Sequence, residues 1–237
     1  IHHPNFVLNA DEDKYGKTEG RLAESWTISK DKMSITFKLR KGVKWHDGKD
    51  FTADDVVYTM NRHMGEDSVS KAKTLVGMVS EWRKVDKHTV KAILSNPNAD
   101  LLPILATFHF SIVQDGADEI PGHFQKVNGT GPFTVAEFKP GVRSISKRNP
   151  NYFRDGPNLD EIEMFGIGEN TARINALVAG DVHMAMKPDS KAYKQVEATE
   201  GISLLSVPSG AYVDFVLMQD RAPGNNRDFV MAIKHLL

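Results

Sequence analysis

Trp45, His46 and Asp47 put an indole, an imidazole and a carboxylate on consecutive positions, a set that could move a proton or hold a polar ligand. Their neighbours suggest a plainer role. His46-Asp47-Gly48-Lys49 is turn chemistry, and Thr52 followed three residues later by Asp55 is an aspartate version of the helix capping box. Phe51 and Val56 fill the two positions of a hydrophobic staple around that cap. Asp54 and Asp55 complement the positive end of the helix dipole. The block is therefore expected to be structural. The carboxylate pairs Asp54-Asp55 and Asp160-Glu161 read the same way, as a helix start and an exposed turn.

Nine histidines raise the question of a metal, yet none forms a His-x-x-x-His helical pair or pairs with a carboxylate at zinc spacing. His2-His3 are merely adjacent, near the start of the chain. Cysteine is absent, which removes disulfides, thiolate catalysis and cysteine metal sites together, and is compatible with periplasm and cytosol alike. There is no Gly-x-Ser-x-Gly elbow and no glycine-rich phosphate loop. No catalytic residue, no protein-built metal site and no cofactor is expected. Thirty basic residues against thirty-one acidic ones give no basic excess, so a nucleic-acid partner is not expected either. No apolar run approaches the ~20 residues needed to cross a bilayer.

The elements that must position these residues follow from periodicity. Ser34 to Leu39 alternates Ile35, Phe37 and Leu39 with polar residues, which predicts a half-buried strand. Val43 to Trp45 extends again, and a helix begins behind Thr52. Thr89 to Leu94 reads as a strand. Asn98 or Asp100 opens a short helix through Leu105, with Pro103 tolerable only in its first turn. Ser111 to Val113 is a short extended piece, and Gln114 to Thr130 a loop with one helical turn. Beyond Gly129-Thr130-Gly131-Pro132, Phe133–Phe138 and Val142–Arg148 form a hairpin around Lys139-Pro140-Gly141. Ile162–Ile167 is a strand, and Thr171–Ala179 a helix closed by Gly180 at C′. Further strands are expected at Val182–Met186, Ile202–Val207 and Tyr212–Met218, with a helix from Asp189 to Thr199. From Asp228, residues Phe229, Val230, Ala232, Ile233, Leu236 and Leu237 trace an amphipathic helix with a buried stripe. This rhythm predicts a mixed α/β (α+β) sheet covered by helices.

The motifs themselves resemble family 5 solute-binding proteins, the receptors through which ABC importers take up dipeptides, oligopeptides, nickel chelates and related solutes. The strongest likeness runs through Leu22-Ala23-Glu24-Ser25-Trp26, then Thr36-Phe37-Lys38-Leu39-Arg40-Lys41-Gly42-Val43-Lys44-Trp45-His46-Asp47-Gly48, then Phe51-Thr52-Ala53-Asp54-Asp55-Val56-Val57. Gly129-Thr130-Gly131-Pro132-Phe133 is similar to a second block of that family, and Arg148-Asn149-Pro150-Asn151-Tyr152-Phe153 to a third. Leu177 to Val182 and the final helix match more weakly. Two positions depart: Val230 stands where the family often has arginine, and Asn226 where aspartate is common.

The resemblance implies a type II periplasmic-binding-protein fold, represented by its first lobe with an extra subdomain and without the second lobe. Residues 1–26 and 129–226 would form the main first-lobe domain, 27–128 the inserted subdomain, and 227–237 the start of the second lobe. The chain opens at Ile1 and stops inside an apolar stripe, so a fragment of a longer protein is expected. The implied function is a monomeric receptor, periplasmic or extracellular (membrane-associated in full length), that binds a small peptide or related solute and delivers it to a membrane permease. A sensory receptor of the same fold and a hydrolase are the alternatives. Three stretches are the implied ligand contacts: Ser68, Val69 and Ser70; His109 and Phe110; and Tyr212, Asp214 and Phe215. Tyr212 leads them, since a tyrosine joins an apolar face to a polar tip.

Overall fold

In the computed structural model, which describes residues 7–9, 18–120, 127–206 and 216–236, the chain divides into two units, Ile1–Ile167 and Gly168–Leu237. The first unit opens with an antiparallel ribbon of β1 (Val7–Asn9) and β2 (Thr18–Gly20). Next come β3 (Ala23–Ile28), β4 (Ser34–Leu39), β5 (Val79–Asp86) and β6 (Thr89–Leu94), an antiparallel sheet in the order β3-β4-β6-β5. Both expected strands, β4 and β6, lie at its centre. Their alternation sends Ile35, Phe37, Leu39, Val90, Ala92 and Leu94 into the core and leaves Lys38 exposed.

Helix α1 (Ala53–Met64) packs against β5 and β6 and brings Ala53, Val56 and Met60 into the same core. The spacing of those three residues is that of one helical face. The predicted capping box is present in full: the Thr52 side chain caps the first turn, and Asp55 reaches back to the Thr52 N–H at 2.7 Å. Phe51 and Val56 are both buried, as a staple requires. Trp45 meets Phe51 edge-on at 6.4 Å, and Phe37 stacks on Trp82 at 5.8 Å. The short helix α2 (Leu101–Leu105) starts after Asp100, whose own N–H is held by the Asn98 carboxamide at 2.7 Å. Pro103 sits in its first turn, where no backbone donor is missed.

A turn of 3₁₀ helix, Phe108–Phe110, then leads to the extended Ser111, and another, Ala117–Glu119, supplies the single helical turn expected in the following loop. The unit closes with β7 (Phe133–Lys139), β8 (Arg143–Arg148) and β9 (Glu161–Phe165), an antiparallel sheet in chain order that contains the predicted hairpin.

In the second unit α3 (Asn170–Ala179) ends as predicted at Gly180, whose φ of 80° is the left-handed conformation that a residue without Cβ adopts freely. The expected helix from Asp189 begins as a 3₁₀ turn, Ser190–Ala192, capped by the Asp189 side chain, and continues as α4 (Tyr193–Ala198). Other expectations for this region are corrected. Val182 to Met186 forms no strand: Met184 and Met186 are exposed, so the alternation faces no sheet among the described residues. Ile202 to Ser206 is likewise not a strand, nor is Val216 to Met218; the rest of those two segments lies outside the described residues. The final helix is present as α5 (Arg227–Leu236), but its apolar stripe is not buried. Phe229, Val230 and Ile233 are half-buried, and Ala232 and Leu236 are exposed.

Candidate functional site

Three distant motifs meet on one short backbone segment. His46 donates its own N–H to the Gly129 carbonyl at 2.8 Å. Its ring accepts the Gly129 N–H at Nδ1 (3.2 Å), which leaves the proton on Nε2, placed 3.0 Å from the Gly131 carbonyl. Asn149 donates its Nδ2 to that same carbonyl at 2.9 Å, and its N–H to the Pro132 carbonyl at 2.8 Å. Gly129, Thr130, Gly131 and Asn149 are all buried. The imidazole that could have served as a base is instead a clasp between two stretches of chain.

The neighbouring carboxylates are engaged in the same way. Asp47 accepts the Lys49 N–H and the Gln114 carboxamide, and Asn128 completes the set by donating to Gln114 and accepting the Asp47 N–H. Asp55 accepts the Thr52 and Asp115 N–H groups at 2.7 and 2.8 Å, tying the start of α1 to the chain after Gln114. Burial pushes its carboxyl above the usual aspartate range, against the pull of those two backbone donors. Asp54 pairs with Lys84, and Asp160 with Arg148. Each of these carboxylates thus has a backbone, amide or cationic partner within the fold.

The implied ligand contacts are brought together for the two stretches that the structure describes. The residue that joins them is His63, on the last turn of α1. Its Nδ1 lies 2.7 Å from the Ser70 hydroxyl, which in turn accepts the Ala72 N–H. On its other side its ring packs on Phe110 at 5.0 Å. Burial, followed by the charges of Arg62 and His109, lowers the His63 pKa from its ordinary value, which favours the neutral ring. Around this pair, Phe110 is fully buried, whereas Val69 and His109 are exposed and Ser68 and Ser70 half-buried. Phe108 projects at 78% exposure with the His109 ring stacked on it. Sequence reading did not single out His63, although it lies on the Ala53, Val56, Met60 face at the helical interval. Tyr212, Asp214 and Phe215 lie outside the described residues.

Among the described residues no group of three His, Cys, Asp or Glu side chains could hold a metal ion. No described helix is long and apolar enough to cross a membrane. A shallow depression of about 200 Å³ lies on the β7–β8–β9 sheet, lined by Phe138, Val142, Met164 and Phe165 beside Lys139 and Arg143.

The model of one protein family, bacterial extracellular solute-binding proteins, family 5 (middle), matches residues 17–237. The chain is similar to the dipeptide-binding protein of Escherichia coli (strain K12), at 30% identity over 223 residues, covering 83% of this chain and 42% of that protein. It is also similar to heme-binding protein A of Haemophilus influenzae, at 29% identity over 242 residues, covering 91% of this chain and 44% of that protein. Among solved structures, the oligopeptide-binding protein AppA from Bacillus subtilis in complex with a nonapeptide superposes with a TM-score of 0.74 at 25% identity, over 84% of this chain and 40% of that one. The chain spans less than half the length of these relatives.

Proposed function

The chain belongs to the bacterial extracellular solute-binding proteins of family 5, and on that premise we propose that it forms most of the first lobe of an ABC-importer receptor. In the whole protein a second lobe, carried by the length that this chain does not span, closes over the solute about a hinge. The closed form then docks on a membrane permease. Residues 1–26 and 129–226 form the main first-lobe domain, 27–128 an inserted subdomain, and 227–237 the entry to the second lobe. The solute is a small peptide or a related compound, a metal chelate included, and the receptor works in the periplasm or at the outer cell surface.

The observation that carries this reading is the family match over residues 17–237, in a family of binding proteins and not of enzymes. The meeting of the Ser68–Ser70 loop with the Phe108–Phe110 turn supports a contact site there, with Ser68, Val69, Ser70 and His109 at the solute. Phe110 holds the turn from beneath; Tyr212, Asp214 and Phe215 are retained as further solute contacts on the family resemblance alone. Mass spectrometry of small molecules released from the full-length protein identifies the solute. Calorimetry with peptide mixtures then compares full-length protein with the 237-residue chain. Because closure needs both lobes, the chain alone is expected to bind weakly or undetectably; equal affinities would sink the two-lobe reading.

A further inference from the structure

The turn from Thr107 to Ser111 is built to hold an aromatic side chain outward. Phe110 anchors it with a ring at 0% exposure. Thr107 bonds back to the Ile104 carbonyl at 2.9 Å, the Phe110 N–H to the Thr107 carbonyl at 3.2 Å, and the Ser111 hydroxyl to the Phe108 carbonyl at 3.1 Å. On this turn Phe108 and His109 stand in solvent, while Phe110 is core and Thr107 is half-buried. The His109 ring lies nearly parallel to it, with centroids 4.0 Å apart and planes 28° apart. That is a stacked arrangement of two flat rings, and both side chains are exposed to whatever arrives from solution. Among the described residues the Phe108 ring stacks on His109 and is otherwise largely open to solvent.

Resting on the solute-binding reading, we propose that the Phe108–His109 stack is a subsite for a flat, π-conjugated group of the solute, such as an arene or a conjugated heterocycle. A planar group gains dispersion and quadrupole attraction on such a face that a saturated group of equal size does not. The Ser70–His63 hydrogen bond and the packing of His63 on Phe110 couple the turn to the loop that carries Val69. Both are therefore presented as one framework and not as two independent loops.

The test uses full-length protein and two matched probes, phenylacetate and cyclohexylacetate, which share a carboxylate and carbon skeleton and differ in the π face. Calorimetry is expected to give phenylacetate a tighter Kd than cyclohexylacetate, and side-chain NMR of His109 to show a saturable upfield ring-current shift with phenylacetate that places its ring on the stack. Phe108→Leu, which keeps the apolar bulk, is expected to weaken phenylacetate about 3- to 10-fold, the size of one aromatic pair, and Phe108→Tyr to retain it. Equal response to the two acids, no response to phenylacetate, or no change in Phe108→Leu would overturn the inference. Thermal stabilisation of the same protein by a dipeptide mixture separates the two claims. If dipeptides stabilise it while the probes are not distinguished, solute binding stands and the stacking subsite falls. If no dipeptide or released solute binds, the solute-binding reading itself fails.

Discussion

Removing both donors to the Gly131 carbonyl should cost more than the sum of removing each. The buried Gly131 carbonyl accepts from His46 Nε2 at 3.0 Å and from Asn149 Nδ2 at 2.9 Å. His46→Phe keeps the ring and leaves Asn149 serving the carbonyl, but it strands the buried Gly129 N–H that had bonded Nδ1. A stranded buried donor costs about 1–3 kcal/mol. Asn149→Leu keeps the volume and leaves His46 in place; it frees the Asn151 N–H, which sits at an exposed residue where water can replace the lost acceptor. About 1 kcal/mol is expected for that change. In the double variant the carbonyl has lost both donors, and its desolvation penalty appears for the first time. The double should therefore exceed the sum of the singles by about 1–2 kcal/mol. Urea unfolding followed by tryptophan fluorescence measures all three variants, provided the m-value stays constant across the set. Additivity within about 0.5 kcal/mol would refute the shared-acceptor argument.

Thr52→Ala removes the side-chain oxygen of the α1 cap and should lower stability by about 1 kcal/mol in the same assay; no change would mean that Asp55 alone holds the helix start. Asp50 is held down to about 2 by its bonds to Lys44 and then Lys87, from an ordinary value of 3.8. A depressed folded pKa contributes stability above pH 3.8 that is lost as pH falls toward 2, so the thermal-midpoint gap between native protein and Asp50→Asn should close over that window. His63 is also depressed, by burial, so its contribution is complete above its ordinary 6.5 and declines as pH drops below it. His63→Gln should flatten that part of the profile, and an unchanged slope would remove His63 from the framework.

The sequence was most legible where local rules and tertiary demands coincide. Thr52, Asp55, Phe51 and Val56 marked the start of α1 because a cap and a staple are settled within six residues. β4 and β6 were read to the residue because both lie in mid-sheet with one face buried. β5 was missed for a physical reason. Its register shifts between Val79 and Glu81 and again between Lys84 and Asp86, and only Val79 and Trp82 are buried, so the period of two is broken. The opposite error arose at Met184 and Met186, where alternation is present without a partner strand among the described residues. The site shows the same divide. His63 was readable as a member of the buried face of α1, but its bond to Ser70 and its packing on Phe110 depend on chain that returns from elsewhere.

That divide also explains why the most recognisable residues are not the ones proposed to touch solute. His46, Gly131 and Asn149 come from three separate blocks and satisfy one another at a buried carbonyl, so replacing either donor removes a bond inside the fold whatever the solute is. Phe108 and Val69 have no such obligation. Their side chains are 78% and 98% exposed, on a turn and a loop whose backbones are held by other residues. A fold that separates these duties can change the groups it presents to solution without disturbing the clasp beneath them. On the proposed reading, specificity on this lobe resides in the least constrained side chains, and the family signature supplies the frame that keeps them in place.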